Sequence, residues 1–261
     1  MPDALTPIVR VDTAGSTNDL ARSLLETREP PFAVVAREQT AGRGQYGRMW
    51  ASPPGGLWLS VAAPDPTQNS AAGALAIAAG LAVIEACAPL VPSTTTLSMK
   101  WPNDVLLDDA KLAGILCERV DDPSHPVAIV GVGVNANMPT ESLSPALRWP
   151  AATLLDAREG EPVDLGALAG AVADSVCARL RALDGNGLPA SAVAKADHAL
   201  HSQGRPVEAS RPNGEVTTGT LLGVDPRGGA RLGTERGEHV IYAGELRAAS
   251  SAASNASNPD A

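Results

Sequence analysis

The run from Ala71 to Leu90, AAGALAIAAGLAVIEACAPL, constrains the fold of this chain more than any other segment. It is long enough to cross a bilayer, which takes about 20 strongly apolar residues. Alanine and glycine dominate it, however, Glu85 interrupts it and Pro89 stands at its end. Such a stretch makes a poor membrane span and a good helix buried against a sheet. No basic segment followed by an apolar run opens the sequence, so no signal peptide is expected and the expected compartment is the cytoplasm. A chain of 261 residues can bury a core without disulfide or metal staples. Aromatics are only 3%, so Ala, Val and Leu must build that core. Cys87, Cys117 and Cys177 show no CxxC spacing, and their odd number suits buried or incidental reduced thiols.

Around that helix the pattern alternates unevenly. Val9 to Thr13 reads as a short strand, and Gly15-Ser16-Thr17-Asn18-Asp19 as the cap of a helix carrying Leu20, Ala21, Leu24 and Leu25. FAVVAR from Phe32, LWLSVAA after Gly55-Gly56, Leu97–Lys100, Val105–Leu107, Leu112–Val120 and Val127–Val134 read as strands. A turn at Asp108-Asp109 joins two of them. Asp164–Leu183 has Leu165, Leu168, Val172, Val176 and Leu180 on one helical face, and Ala190–His201 reads as a further helix. Strands outnumber helices and do not strictly alternate with them, so an α+β fold with a mixed sheet is expected. From Gln203 to Leu246 the chain turns to short β runs, PVEAS, EVTTGTLLGV, ARLGT and HVIYAG, separated by Gly, Pro and Asn. This is the pattern of a small barrel. The expected division is 1–203, 204–249 and a low-complexity, disordered tail over 250–261.

Gly42-Arg43-Gly44-Gln45-Tyr46-Gly47 is a literal GxGxxG, but a dinucleotide fold needs such glycines to open a helix. Here RMWASPPGG follows, which cannot be helical. No GK[ST] and no kinase motifs accompany it. What remains is a glycine loop carrying Arg43 and Arg48. It is either a solvated surface loop or an anion-binding concavity with forked donors for carboxylate or phosphate. Lys100-Trp101-Pro102-Asn103-Asp104 lies shortly before Lys111-Leu112-Ala113-Gly114-Ile115-Leu116. Asn103 and Asp104 offer oxygens that Mg²⁺ accepts beside phosphates, and Lys111 starts an apolar strand. Alone, this is equally an Asn-Asp turn with an edge lysine. Gly131-Val132-Gly133-Val134-Asn135-Ala136-Asn137 puts two glycines inside a strand, which weakens it unless another group approaches closely. The net charge of −9 argues against a nucleic-acid partner but not against a local basic pocket.

Together these segments resemble biotin–protein ligases, with lipoate ligases as more distant relatives. The matching stretches are Gly15–Asn18, Glu38–Gly44, Gly47–Trp50, Lys100–Asp104, Lys111–Leu116 and Gly131–Asn135, in the family's order and spacing. The resemblance implies a catalytic domain related to class II aminoacyl-tRNA synthetases and a C-terminal SH3-like domain. It implies biotin contacts from Ser16, Thr17, Asn18, Gln39, Gly42, Arg43, Gly44, Gln45, Lys111, Gly114 and Gly133. Nucleotide contacts are implied for Arg48, Trp50, Asn103, Asp104 and Asn135, with Asp104 near Mg²⁺, and catalytic roles for Arg43, Arg48 and Lys111. Gln45 stands where many members carry arginine, so the loop lacks one charge. Some members begin with a DNA-binding helix-turn-helix domain. Here the motifs start at residue 15, so repressor activity is not expected.

The implied chemistry uses biotin and ATP with Mg²⁺. Biotin's carboxylate attacks the α-phosphate, and the mixed anhydride then acylates a lysine of a biotin carboxyl carrier domain. Both reactants of the first step are anions, so positioning and charge neutralisation dominate. No Ser-His or Cys-His pair points to a covalent enzyme intermediate. The alternatives are a lipoate or octanoate ligase or transferase on the same fold, and a catalytically silent biotin-binding protein. His198 and His201 read as surface residues. Arg247 is a further candidate on the nucleotide side, at an unconvincing spacing from Gly244. No membrane partner is expected, and a homodimer is left open.

Overall fold

The computed structural model describes residues 5–67, 71–120, 126–143 and 149–249. The tail assigned to 250–261 lies outside the described residues. One sheet has seven strands: β1 (Ile8–Ala14), β2 (Phe32–Gln39), β3 (Leu57–Pro64), β4 (Leu97–Lys100), β5 (Asp104–Leu107), β6 (Ala110–Val120) and β7 (Val127–Val134). Their order across the sheet is β1-β2-β3-β7-β6-β5-β4. Only β1 and β2 run parallel; the other neighbours are antiparallel, so the sheet is mixed as expected. Asp108 and Asp109, both at positive φ, make the tight turn between β5 and β6.

Side-chain alternation along the strands sorts the sheet into two faces. Leu57, Leu59 and Val61 of β3 join Val130, Val132 and Val134 of β7 on one face. There α2 (Ala72–Cys87) and α4 (Leu165–Arg181) pack on them and on each other. Helix α2 belongs to the segment Ala72–Leu90, long and apolar enough to span a membrane. Its Leu75, Ile77, Ala79 and Val83 are buried in this core instead. Each large aliphatic side chain buried there contributes about 1.5–3 kcal/mol. Small residues let α2 lie close: a Cβ on Gly80 would stand 2.7 Å from Met99 Sδ. Asp164 caps α4 by accepting from the N–H groups of Gly166 and Ala167.

The opposite face is covered only in part. Helix α1 (Thr17–Leu24) packs Ala21 against Phe32, Val34, Ala62, Val127 and Ile129. Ser16 stands at its N-cap but makes no capping bond there. Beyond the helix the same face continues as Ser60 on β3, Gly131 and Gly133 on β7, and Gly114 and Leu116 on β6. There the side chains shrink to glycine and a hollow begins.

Short helices α3 (Leu154–Ala157) and α5 (Ala190–Ala199) lead to a second, antiparallel sheet. It holds β8 (Pro206–Ser210), β9 (Val216–Val224), β10 (Ala230–Thr234), β11 (Gly237–Ile241) and β12 (Glu245–Ala248) in the order β11-β10-β9-β8-β12. The four expected β runs are present, and β12 is an addition that pairs with β8. Several bonds tie this sheet to the rest of the chain, two of them from buried or part-buried groups. The buried Trp101 indole donates to Gly228 O at 2.9 Å, and Asp197 of α5 accepts from the Val224 N–H at 2.8 Å.

Candidate active site

Where the partly covered face meets β12, a cavity of about 810 Å³ opens. One end is neutral and hydrogen-bonding. Gln39, at the end of β2, accepts from the Thr17 N–H at 2.8 Å and from the Thr17 hydroxyl at 3.1 Å, and donates to Ser52 Oγ at 2.8 Å. Ser60 Oγ, fully buried, lies 2.7 Å from Thr17 Oγ1 and 2.6 Å from Asn18 Oδ1. Asn18 fits because Gly131 faces it: a Cβ there would stand 2.4 Å from Asn18 Oδ1. Ser16, Thr17, Asn18 and Gln39 all line this end.

The other end is cationic. Lys111, at the start of β6, puts Nζ 2.7 Å from Asp104 Oδ1 and 4.9 Å from the centre of the Trp50 ring. Arg43 grips Asp19 with two bonds of 2.6 Å and lies 3.6 Å from Glu118. That grip holds the Asp19 carboxyl below the usual carboxylate range, against the opposing effect of its partial burial. Arg48 reaches Glu245 of β12 at 2.5 Å, and Arg247 lies 3.5 Å from the same carboxylate. Burial pushes the Glu245 carboxyl up, but the Arg48 bond and nearby cations outweigh it and hold the group below its ordinary value. Burial pushes the Lys100 ammonium down, partly countered by Asp104 and Glu245.

Trp50 lies across the glycines that form the floor. Gly114 and Gly133 are cross-strand partners. A Cβ on either would stand within 2.9 Å of the indole, and Trp50 Nε1 is buried without a hydrogen-bond partner among the described residues. Close approach to the strand glycines, expected from the sequence for a ligand, is made here by a side chain of the loop. That loop turns through Tyr46 and Gly47, both at positive φ.

Most residues singled out from the sequence meet in this cavity: Ser16, Thr17, Asn18, Gln39, Arg43, Gly44, Gln45, Arg48, Trp50, Asn103, Asp104, Lys111, Gly114 and Gly133. Gly42 and Asn135 do not line it. Gly42 carries the loop past Trp50 O and Ser52 Oγ, where a Cβ would stand 2.5 and 2.7 Å away. Asn135 donates to Lys111 O at 3.2 Å and Ala152 O at 3.1 Å, stapling backbone behind Lys111. Lys100, Trp149, Glu245 and Arg247 line the cavity although sequence reasoning gave them little or no weight. Ser60 carried a signal, as the one polar residue within LWLSVAA. His201, read as a surface residue, is half-buried beside Trp149, with Nε2 3.1 Å from Asp109 Oδ1. His198 is exposed. The described residues contain no group of three His, Cys, Asp or Glu side chains arranged for a metal ion.

Comparison with known proteins agrees with this layout. Residues 10–135 match the biotin/lipoate A/B protein ligase family, and residues 203–246 match the biotin protein ligase C terminal domain. Over 246 residues the chain is 35% identical to the biotin–[acetyl-CoA-carboxylase] ligase of Mycobacterium tuberculosis, covering 90% of this chain and 86% of that protein. It is 30% identical to the bifunctional ligase/repressor BirA of Bacillus subtilis, covering 90% of this chain and 72% of that protein. The biotin protein ligase of Aquifex aeolicus in complex with biotin and ATP superposes with a TM-score of 0.76 at 28% identity, covering 92% of this chain and 97% of that one. The order of strands around the cavity, both family matches and identity sustained over nine-tenths of the sequence lead to one assignment: the chain belongs to the biotin protein ligase family.

Proposed function

We propose that this chain is an ATP-dependent ligase that forms biotinyl-5'-AMP from biotin and ATP and transfers the biotin to a lysine of a biotin carboxyl carrier domain. One observation carries the reading: a single cavity joins a neutral hydrogen-bonding end to a cationic end. Ser16, Thr17, Asn18, Gln39 and the Ser60 hydroxyl behind them suit the ureido group of biotin, which needs both donors and acceptors. A linear acyl chain such as lipoate has no use for that network.

In the proposed first step, a biotin carboxylate oxygen attacks the α-phosphorus of ATP. The bond from that phosphorus to the bridging oxygen breaks, and pyrophosphate leaves. Lys111 stands where the two anions meet and neutralises the charge that keeps them apart. Arg43 and Arg48 approach from the glycine loop, each exchanging its carboxylate partner for substrate. Loop closure excludes water from the mixed anhydride. Trp149, at the cavity wall, offers an aromatic face on which a base can stack. Asp104 and Asn103 supply hard oxygens beside the phosphates, the donor set Mg²⁺ accepts, and the ion when bound would offset triphosphate charge. In the second step the carrier's lysine amine attacks the activated carbonyl and AMP departs.

In this reading residues 1–203 form a catalytic unit akin to class II aminoacyl-tRNA synthetases and residues 204–249 an SH3-like unit. The enzyme works in the cytoplasm, and a homodimer is open to test by sedimentation. Incubation with biotin, MgATP and a carrier domain tests the function. A carrier heavier by one biotinyl group on its lysine is expected. An unmodified carrier, together with no biotin uptake in calorimetry, overturns the reading.

A further inference from the structure

His201 takes no part in the chemistry above, yet three other segments meet at it. Its backbone N–H donates to Met99 O of β4 at 2.8 Å. Its Nε2 lies 3.1 Å from Asp109 Oδ1, in the turn between β5 and β6. Its ring stands edge-on to Trp149, with centroids 6.3 Å apart and planes at 88°. The same turn also holds Trp149, because the Asp109 carbonyl accepts from the indole N–H at 2.7 Å. Imidazole and indole are thus hung on one residue and packed on each other at a spacing that aromatic pairs prefer. Trp149 lines the cavity, whereas His201 and Asp109 stand behind it.

Chemistry places the protons of this cluster. A carboxylate only accepts, so the hydrogen on Nε2 faces Asp109. Ser202 Oγ lies 2.9 Å from Nδ1. Its hydroxyl donates to the neutral ring and accepts from the charged one, so the tie to Asp109 survives in both charge states. Ser202 has a φ of 65° and turns the chain towards β8. That strand pairs with β12, which brings Glu245 and Arg247 to the cavity. His201 is therefore pinned where the link to the smaller sheet passes the wall that carries Trp149.

We propose that His201 is a positioning residue: through Asp109 and its own ring edge it holds Trp149 against the cavity, and so tunes ATP binding from outside the site. The effect on ATP rests on the reading of Trp149 as a stacking surface. The test compares the wild type with His201→Ala, with His201→Gln, which keeps a donor for Asp109, and with Trp149→Ala alone and combined with His201→Ala. Acrylamide quenching reads the exposure of Trp149, its share of the emission taken by subtracting a Trp149→Phe control in each background. Calorimetry gives Kd for ATP and for biotin. In His201→Ala the quenching of Trp149 should at least double, and the ATP Kd should rise about fivefold, the scale of a lost aromatic pair. The biotin Kd should stay at its wild-type value, and His201→Gln should recover most of both losses. In the Trp149→Ala background, His201→Ala should weaken ATP no further, as expected of two residues acting through one contact. Wild-type quenching of Trp149 in His201→Ala overturns the proposal. So does an ATP penalty that is the same with and without Trp149. If His201→Ala fails to fold, Asp109→Gly, which suits the positive φ and keeps the carbonyl, is judged by the same criteria. Wild-type ATP affinity in Trp149→Ala would defeat the stacking reading, while the quenching comparison would still decide whether His201 holds Trp149.

Discussion

Lys111→Ala separates catalysis from folding most cleanly. The ammonium is held by Asp104 at 2.7 Å, with the two side chains 26% and 17% exposed. A pair at that depth lies between a solvated surface bridge and a buried one, so its loss costs about 1–2 kcal/mol of stability. That lowers the melting temperature by only a few degrees, at roughly 2–4 °C per kcal/mol. The effect on chemistry is larger. In the proposed step two anions meet beside this charge. One unit charge about 4 Å from another, at an effective dielectric of about 20, is worth about 4 kcal/mol. Removing it slows adenylate formation roughly a thousandfold. It also leaves the Asp104 carboxylate without its cation, facing incoming anions. Biotin-dependent ATP–pyrophosphate exchange, read beside a thermal melt, measures both quantities. Exchange within tenfold of wild type, in protein that melts normally, would refute the argument.

Other substitutions test the neighbouring parts. Ser60→Ala leaves Asn18 Oδ1 without its partner at 2.6 Å. Biotin affinity should fall about tenfold or more, with ATP affinity unchanged in calorimetry. Asp19→Asn removes the bidentate anchor of Arg43, so trypsin should cut after Arg43 faster than in the wild type. Because the folded-state carboxyl of Asp19 lies below its ordinary value, the pair stabilises the fold above the unfolded value of about 3.9 and is lost as pH falls through the depressed one. The gap in melting temperature between wild type and Asp19→Asn should therefore stay constant from neutral pH down to about 5 and close below about 4. A gap that widens in acid would contradict this. Trp101→Phe keeps the buried ring but loses the bond to Gly228 O. Denaturant titration should show a loss of about 1 kcal/mol, and an unchanged midpoint would count against the tie between the two sheets.

The sequence exposed what is periodic or local. The strands of the larger sheet, the Asp108-Asp109 turn and the two long helices follow from residue spacing and turn chemistry. The glycine pair in β7 pointed to close approach, because glycine weakens a strand that gains nothing from it. What escaped depends on distant parts of the chain meeting. Glu245 was silent and Arg247 only a weak candidate, because they lie on too short a strand to stand out, and only pairing with β8 brings them to the cavity. Trp149 is silent in sequence until Lys100 is seen beneath it. Asn135, expected on the nucleotide side, stands behind the cavity instead of lining it, its Nδ2 donating to the carbonyls of Lys111 and Ala152.

The acidic character of the chain and its proposed anionic substrates are reconciled inside the cavity. The net charge of −9 would repel ATP if it were spread evenly. Instead, carboxylates from α1, β5, β6 and β12 are placed against the cavity's arginines and Lys111. Each of these cations thus has an internal counter-ion before substrate arrives, which spares it the cost of standing half-buried and unpaired. In the proposed reaction, substrate oxygens would take over roles that side chains already fill, leaving the displaced carboxylates free to move with the elements that carry them. Asp19 and Glu245 bracket the glycine loop, one on α1 and one on the smaller sheet. Were both arginines to exchange partners in the proposed reaction, the loop would be released from two anchors at once and gathered onto one ligand. The smaller sheet is thus part of the cavity, because it supplies the carboxylate that holds Arg48 there.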